Sequence, residues 1–278
     1  MKATVLVDNI GDEKNQGEWG LSIYIEYEDK KILLDAGKSP LFAQNAKNLG
    51  KSIEEVDFAV LSHAHYDHAD GMGTFFDTNK SAKLYIRKAG RNKCYSKKGF
   101  FKKYIGIQKG LLSKYKNRIE IVSGDYKLTE GVYLIPHKVA GEDEAFGVGD
   151  KIGKREKMYI KKGFGKWAFD NFAHEQSLVF ETEEGLVVFN SCSHGGADNI
   201  INEIREAFPG KKIRAMIGGF HLYNKTDEEV QSFTQRIKKM DVDYICTGHC
   251  TGQKAYEILE AELGEIVHQL RVGLIMKF

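Results

Sequence analysis

Residues 56–73, Val56-Asp-Phe-Ala-Val-Leu-Ser-His-Ala-His-Tyr-Asp-His-Ala-Asp-Gly-Met-Gly73, form the stretch whose reading decides the fold. Asp57 to Leu61 is apolar and partly β-branched, so it reads as a short buried strand; three histidines and an aspartate then follow within six residues. If the extended conformation continues past Ser62, His63 and His65 project from the same side of the strand end. Asp67 and His68 then come round on the following turn. Three imidazoles and a carboxylate at one point suit zinc or another borderline divalent metal. The plainer alternative is a polar loop of hydrogen-bonded histidines.

The flanking sequence repeats this grammar. Ala3 to Val7 reads as a strand, and Leu21 to Tyr27 with Lys31 to Leu34 as a hairpin turned at Glu28-Asp29-Lys30. A helix over Pro40 to Leu49 is bracketed by Ser39 and Gly50. Further strands are expected at Lys83 to Arg87, Ile119 to Val122, Val132 to Ile135 and Ser177 to Glu181, and a last one near Leu270 to Met276. Helices are expected at Ala197 to Phe208, Asp227 to Lys239 and Gln253 to Leu263. Leu186 to Ser191 leads to His194, Ile213 to Ile217 leads to His221, and Val242 to Cys246 leads to His249. Strand carboxyl ends are where open α/β sheets place ligands. Of the 9 histidines, these three and His63, His65 and His68 follow strands beside small residues. His63, His65 and His194 form the expected first metal set, and Asp67, His68 and His249 the second. Each of His194 and His249, taken alone, reads better as a satisfied core histidine; the His63 cluster reverses that in favour of ligation. Asp67 and His221 are the expected catalytic groups, Asp67 orienting or deprotonating the nucleophile and His221 meeting the substrate or leaving group.

The run His63-Ala64-His65-Tyr66-Asp67-His68 resembles the signature of the metallo-β-lactamase-fold superfamily. That resemblance implies an α/β (α+β) chain folded as a four-layer αββα sandwich. It implies a single domain over 1–278, in which the charge run marks a basic insertion near 80–118 and the Gly-rich, charged composition a loop-rich segment near 141–165 whose length invites a role as a lid. Asp35-Ala36-Gly37 corresponds to the family's D-x-G turn near the metal, although a plain turn explains it equally well. His174, before a hairpin, resembles the third metal histidine of many members. No Gly-Asp ends the Leu186 strand where the family has a bridging aspartate; Cys192 competes for that position as a soft thiolate. The runs Ser191 to Gly195, Gly218 to Leu222 and His249 to Gly252 resemble the dihydropterin ribofuranosylaminobenzene phosphate synthase-like branch. The di-iron branch, with H-x-E-x-D-H, is disfavoured because Tyr66 stands where its glutamate would be.

Bulk properties set outer bounds. The 278 residues carry 41 Lys+Arg against 39 Asp+Glu. Lys80 to Arg118, however, contains 14 of the basic residues and no acidic one. Its interleaved Tyr85, Tyr95, Phe100, Phe101, Tyr104 and Tyr115 could line an entrance for an anionic, ring-bearing molecule, or the segment could be a solvated, partly helical insertion. No apolar run approaches the ~18 residues of a membrane span, and the strand pattern from Met1 onward leads us to expect no secretory leader. The 4 cysteines lack framework spacing and read as reduced thiols, so a cytoplasmic location is expected. The expected function is a metal-dependent hydrolase, with one or two zinc ions (manganese or iron as alternatives), acting on an anionic, phosphate-bearing small molecule. Alternatives are a metal-containing ligand sensor without turnover, or a nuclease or phosphodiesterase; nucleic acid is a less favoured partner because no nucleic-acid module is present.

Overall fold

Strict alternation of apolar side chains between two faces gives each main sheet a core on both sides. The structure is a computed structural model that describes residues 1–98, 100–137, 157–162 and 166–278. The first half contains β1 (Lys2–Val7), β2 (Ser22–Tyr27), β3 (Lys30–Leu34), α1 (Leu41–Asn48), β4 (Phe58–Val60), α2 (Tyr66–Ala69), α3 (Met72–Thr78) and β5 (Lys83–Arg87). Next come β6 (Lys93–Lys98), β7 (Phe101–Tyr104), α4 (Leu111–Lys114), β8 (Ile119–Val122), β9 (Tyr126–Thr129) and β10 (Val132–Pro136). The remainder contains β11 (Lys157–Lys162), β12 (Lys166–Phe169), β13 (Gln176–Thr182), β14 (Gly185–Phe189), α5 (Ala197–Ala207), β15 (Ile213–Gly218), α6 (Asp227–Lys238), β16 (Tyr244–Thr247), α7 (Gln253–Leu263), β17 (Val267–Gln269) and β18 (Ile275–Lys277).

Two seven-stranded sheets run β18-β1-β2-β3-β4-β5-β8 and β9-β10-β13-β14-β15-β16-β17. Read in those directions, both have three antiparallel pairings followed by three parallel ones. The second half therefore echoes the first. Ile23, Ile25, Ile32, Leu34 and Val60 of one sheet meet Leu178, Phe180, Val187, Phe189 and Ile217 of the other in a shared central core. Their neighbours Tyr24, Leu33 and Ala59 face outward to pack with Phe42 of α1 and Phe75 of α3. Val179, Val188 and Met216 likewise face α5, α6 and α7. The order helix, sheet, sheet, helix follows from this period-two partition, and truncating a central residue such as Phe180 to alanine costs about 3–5 kcal/mol.

Three expectations change. The basic insertion is partly helical, with α4 and short 3-10 turns at Lys88–Arg91 and Lys116–Arg118, but its middle is sheet: β6 and β7 join β11 and β12 in a third sheet, ordered β12-β11-β6-β7. Of the loop-rich segment, 141–156 and 163–165 lie outside the described residues, and 157–162 is a strand of that sheet rather than loop. The final strand is Ile275–Lys277, paired with β1, because Leu270 and Val272 turn into the core instead of extending. Among the described residues no helix is long and apolar enough to cross a membrane.

Candidate metal centre

The loops that carry chemistry leave the carboxyl ends of parallel strands. Asp35 follows β3, the His63–His68 run follows β4, Cys192 and His194 follow β14, His221 follows β15 and His249 follows β16. Backbone strain concentrates there. Asp35, Ser193, His221 and His249 all have φ between 46° and 57°, a conformation that costs non-glycine residues energy and persists where the surroundings enforce it. The loop ends also pack closely: a Cβ on Gly219 would come within 2.4 Å of Cys250 Sγ.

His63, His65 and His194 are brought together, with donor atoms within 4.8 Å of one another. The Nε2 atoms of all three are buried and have no hydrogen-bond partner among the described residues, an arrangement that is expensive unless something binds them. The protons are fixed from behind. Asp35 Oδ1 accepts the Ser62 backbone N–H at 2.7 Å, and Asp35 Oδ2 accepts the Ser62 hydroxyl at 2.6 Å. The Ser62 oxygen is thus left to accept from His63 Nδ1 at 2.9 Å. His63 Nε2 therefore presents a lone pair. Burial, reinforced by the neighbouring imidazoles, holds the pKa of His63, His65 and His194 well below the ordinary value, keeping them neutral.

Asp67, His68 and His249 form the second cluster. Asp35 Oδ2 also takes the His68 Nδ1 proton at 2.8 Å. The Asn9 amide donates to the His249 carbonyl and turns its own oxygen toward His249 Nδ1 at 3.3 Å. Both Nε2 atoms then carry lone pairs, and they face each other at 3.2 Å. Two lone pairs at that separation require a cation or a proton between them. Burial opposes charge on His68, but Asp67 and Asp35 push its pKa up to about 8, while burial and His68 take His249 down to about 3. The donor types fit a divalent ion in both clusters, and Asp35, on which turn and metal-site readings were balanced, orients one histidine of each.

His221 lies beside the first cluster, its ring 4.4 Å from that of His194, with a buried, unpartnered Nδ1. Cys192, His221 and Cys250 form a further group. Burial raises the Cys192 thiol well above its ordinary pKa, whereas hydrogen bonds from Cys192 and His221 outweigh burial at Cys250 and lower it to about 5. His174 stands in a further group, with His65, Cys94 and Asp170. Its Nδ1 accepts the Ala64 N–H at 3.2 Å and its Nε2 reaches Asp170 Oδ2 at 3.1 Å. The expected outcome for His174→Ala is retained metal stoichiometry by elemental analysis with about 3–5 kcal/mol lost in chemical denaturation, since Asp170 is left buried without its partner. Loss of an ion would assign His174 to the centre after all.

Several supporting residues carried no local signal. Trp19 Nε1 donates to Asp67 Oδ2 at 2.8 Å, Asp8 Oδ2 accepts the His249 N–H at 2.9 Å, and Glu175 accepts the backbone N–H groups of His194 and Gly195 at 3.0 and 3.2 Å. Asp8-Asn9 does sit at the carboxyl end of β1, the same position the histidines occupy elsewhere. Beside Tyr66, between His65 and Asp67 in sequence, opens a cavity of about 470 Å³ lined also by Asp70, Lys103, Tyr104, Gly106, Gln108 and Lys109. Lys103 lies 5.6 Å from the Tyr66 ring and Lys109 5.2 Å from that of Tyr104. Trp19 and Tyr223, both partly exposed, meet edge to face at 5.6 Å.

Residues 20–158 match the family described as the metallo-beta-lactamase superfamily. The chain is 32% identical to 7,8-dihydropterin-6-methyl-4-(beta-D-ribofuranosyl)-aminobenzene-5'-phosphate synthase of Methanocaldococcus jannaschii, covering 93% of this chain and 90% of that protein. An uncharacterized protein of the same organism is 30% identical over 90% of this chain and 91% of its own length. Among solved structures, Tm1679, described as a metal-dependent hydrolase of the beta-lactamase superfamily, superposes with a TM-score of 0.82 at 27% identity over 100% of this chain and 99% of that one.

Proposed function

Because the chain belongs to the metallo-beta-lactamase superfamily, we propose that it is a metal-dependent enzyme acting on a phosphate-bearing small molecule with an aromatic ring. The observation that carries this reading is the convergence of buried, partnerless imidazole nitrogens from β4 and β14. His63, His65 and His194 would hold one ion, and Asp67, His68 and His249 a second. When bound, such ions polarise a phosphoryl or carbonyl oxygen and acidify water to near neutrality. The chain's own residues do the rest. Asp67, fixed by Trp19, orients the nucleophile; His221, half-buried as a residue and with a buried Nδ1 that has no partner among the described residues, protonates the leaving group. The amines of Lys103 and Lys109 offset the Asp70 carboxylate in their cavity and attract an anionic group, with Tyr66 and Tyr104 as apolar walls.

Hydrolysis is the reading the resemblance to Tm1679 supports. The identity to a protein named as a synthase supports a second one, in which an organic nucleophile replaces water at the same polarised centre. Aryl phosphomonoesters, phosphodiesters and diphosphate esters, incubated with metal-replete protein with and without a chelator, test both. We expect release of the phenol from the monoesters and diesters, or of diphosphate from the diphosphate esters, that the chelator abolishes, or release only when an aromatic amine is added for the condensation reading. Binding without metal-dependent turnover under either condition supports the sensor, and turnover confined to RNA or DNA, falling steeply with salt, supports the nuclease.

A further inference from the structure

Phe100 and Phe101 are the most exposed large apolar side chains among the described residues, at 100% and 85%, and they sit side by side where β6 turns into β7. We propose that this end of the third sheet docks the protein on an anionic lipid bilayer, the two rings entering the interface and the surrounding lysines meeting the headgroups. Docking of this kind does not depend on the metal centre. The strands β6, β7, β11 and β12 carry nine lysines and no acidic residue. Among the described side chains none of these lysines is ion-paired, whereas Lys83 and Lys114, outside the sheet, reach Glu120 and Asp77 at 2.9 and 3.7 Å. Cys94 and Ser96 of β6 are buried against the body, and the register sets Lys98 opposite Phe101. Alternation turns Phe101 to the same side as Cys94 and Ser96, yet it stands in water because the hairpin runs past the edge of the body. The hairpin is tied down at its other end, where β7 leads into Ile105, whose carbonyl accepts the Tyr66 N–H at 2.8 Å.

Charge selects the occupant. Outside Lys80 to Arg118, which holds 14 of the 41 Lys+Arg and none of the 39 Asp+Glu, the chain is net acidic, so an anionic bilayer attracts this end and repels the rest of the body. A second copy of the chain would bring lysine against lysine. Single-stranded nucleic acid shares the bilayer's charge but needs open ring faces to stack on. On the outer face of the sheet the rings are engaged with one another: Tyr95 packs against Tyr104 at 5.3 Å and Trp167 at 4.9 Å, Tyr159 stacks on Phe169 at 4.9 Å, and Lys102 Nζ lies 3.9 Å from the Trp167 ring. Phe100 and Phe101 lead instead, with Lys97 and Lys102 paired across the hairpin just behind them. Apolar rings in front and ammonium groups behind match the order of acyl chains and anionic headgroups in a bilayer interface. Charge and insertion together are the two signals that stable anchoring takes.

Sedimentation of the full chain with phosphatidylcholine vesicles containing ~30% phosphatidylserine, and with phosphatidylcholine alone, tests this. The expected result is binding to the anionic vesicles only, weakened at least ~10-fold when salt rises from about 0.05 to 0.5 M. Phe100→Ser combined with Phe101→Ser weakens it at least ~10-fold and leaves the denaturation midpoint unchanged, because both rings are already in water. Lys97→Glu combined with Lys102→Glu abolishes it. Phe101→Trp adds an indole whose emission, relative to the unaltered chain, is quenched by bromine on the acyl chains of the anionic vesicles. No binding to those vesicles overturns the proposal. So does binding that the double serine variant retains in full, which is charge adherence without insertion. Binding of a single-stranded oligonucleotide, or self-association, that depends on the two phenylalanines in the absence of vesicle binding assigns the surface to nucleic acid or to a second copy and overturns it as well.

Discussion

Asp35→Asn is expected to weaken ion binding although it changes one atom and no volume. One carboxylate oxygen accepts from both the Ser62 hydroxyl and His68 Nδ1, and the other accepts the Ser62 backbone N–H. An amide has only one acceptor. If its NH2 group faces His68, the imidazole must turn Nδ1 into an acceptor and move its proton to Nε2, the atom that faces His249. If the amide is turned the other way, its NH2 opposes the Ser62 N–H and the loop leading to His63 must shift. Both orientations damage the presentation of a ligand lone pair, so we expect affinity for at least one ion to fall ~10–100-fold in competition with a chromophoric chelator. Affinity within twofold of the unaltered chain would show that Asp35 is only a turn residue.

The second large effect is expected at the ligands themselves. His65→Ala and Asp67→Ala each remove a donor from a different cluster, so each should lower the metal content of purified protein. Turnover in the ester assay should fall by ~1,000-fold or more, because an ion at a reacting centre contributes several kcal/mol and each 1.36 kcal/mol is a factor of ten. The two substitutions should differ in which ion is lost: the His65 variant keeps the ion of the Asp67 cluster, and the Asp67 variant loses it. Unchanged metal content in both would reject these two residues as ligands.

The two main sheets were legible because each strand combines an apolar run with a glycine or polar stop, and because burial on both faces leaves a period-two signal that survives in a single sequence. Histidine at a strand's carboxyl end was equally visible at four positions. The third sheet was not. Lys93–Lys98 and Phe101–Tyr104 are poor strand formers by composition, and their partner β11 begins at Lys157, far along the chain. What holds them is cross-strand ring packing: Tyr95 with Tyr104 at 5.3 Å, Tyr95 with Trp167 at 4.9 Å, and Lys102 Nζ 3.9 Å from the Trp167 ring. Long-range pairing decides such strands, and local periodicity does not report it. The same limit hid Trp19, Asp8 and Glu175, whose roles come from single hydrogen bonds to Asp67, His249 and His194. It also left His174 as an open alternative, since only the fold brings the Ala64 N–H and Asp170 to its two nitrogens.

Anomalous diffraction at the zinc edge, from crystals of zinc-loaded protein, measures the central claim most directly. The account predicts one peak within bonding distance of the Nε2 atoms of His63, His65 and His194, and a second between Asp67, His68 and His249. Absence of any peak in that cavity, with zinc found only on surface residues, would contradict it.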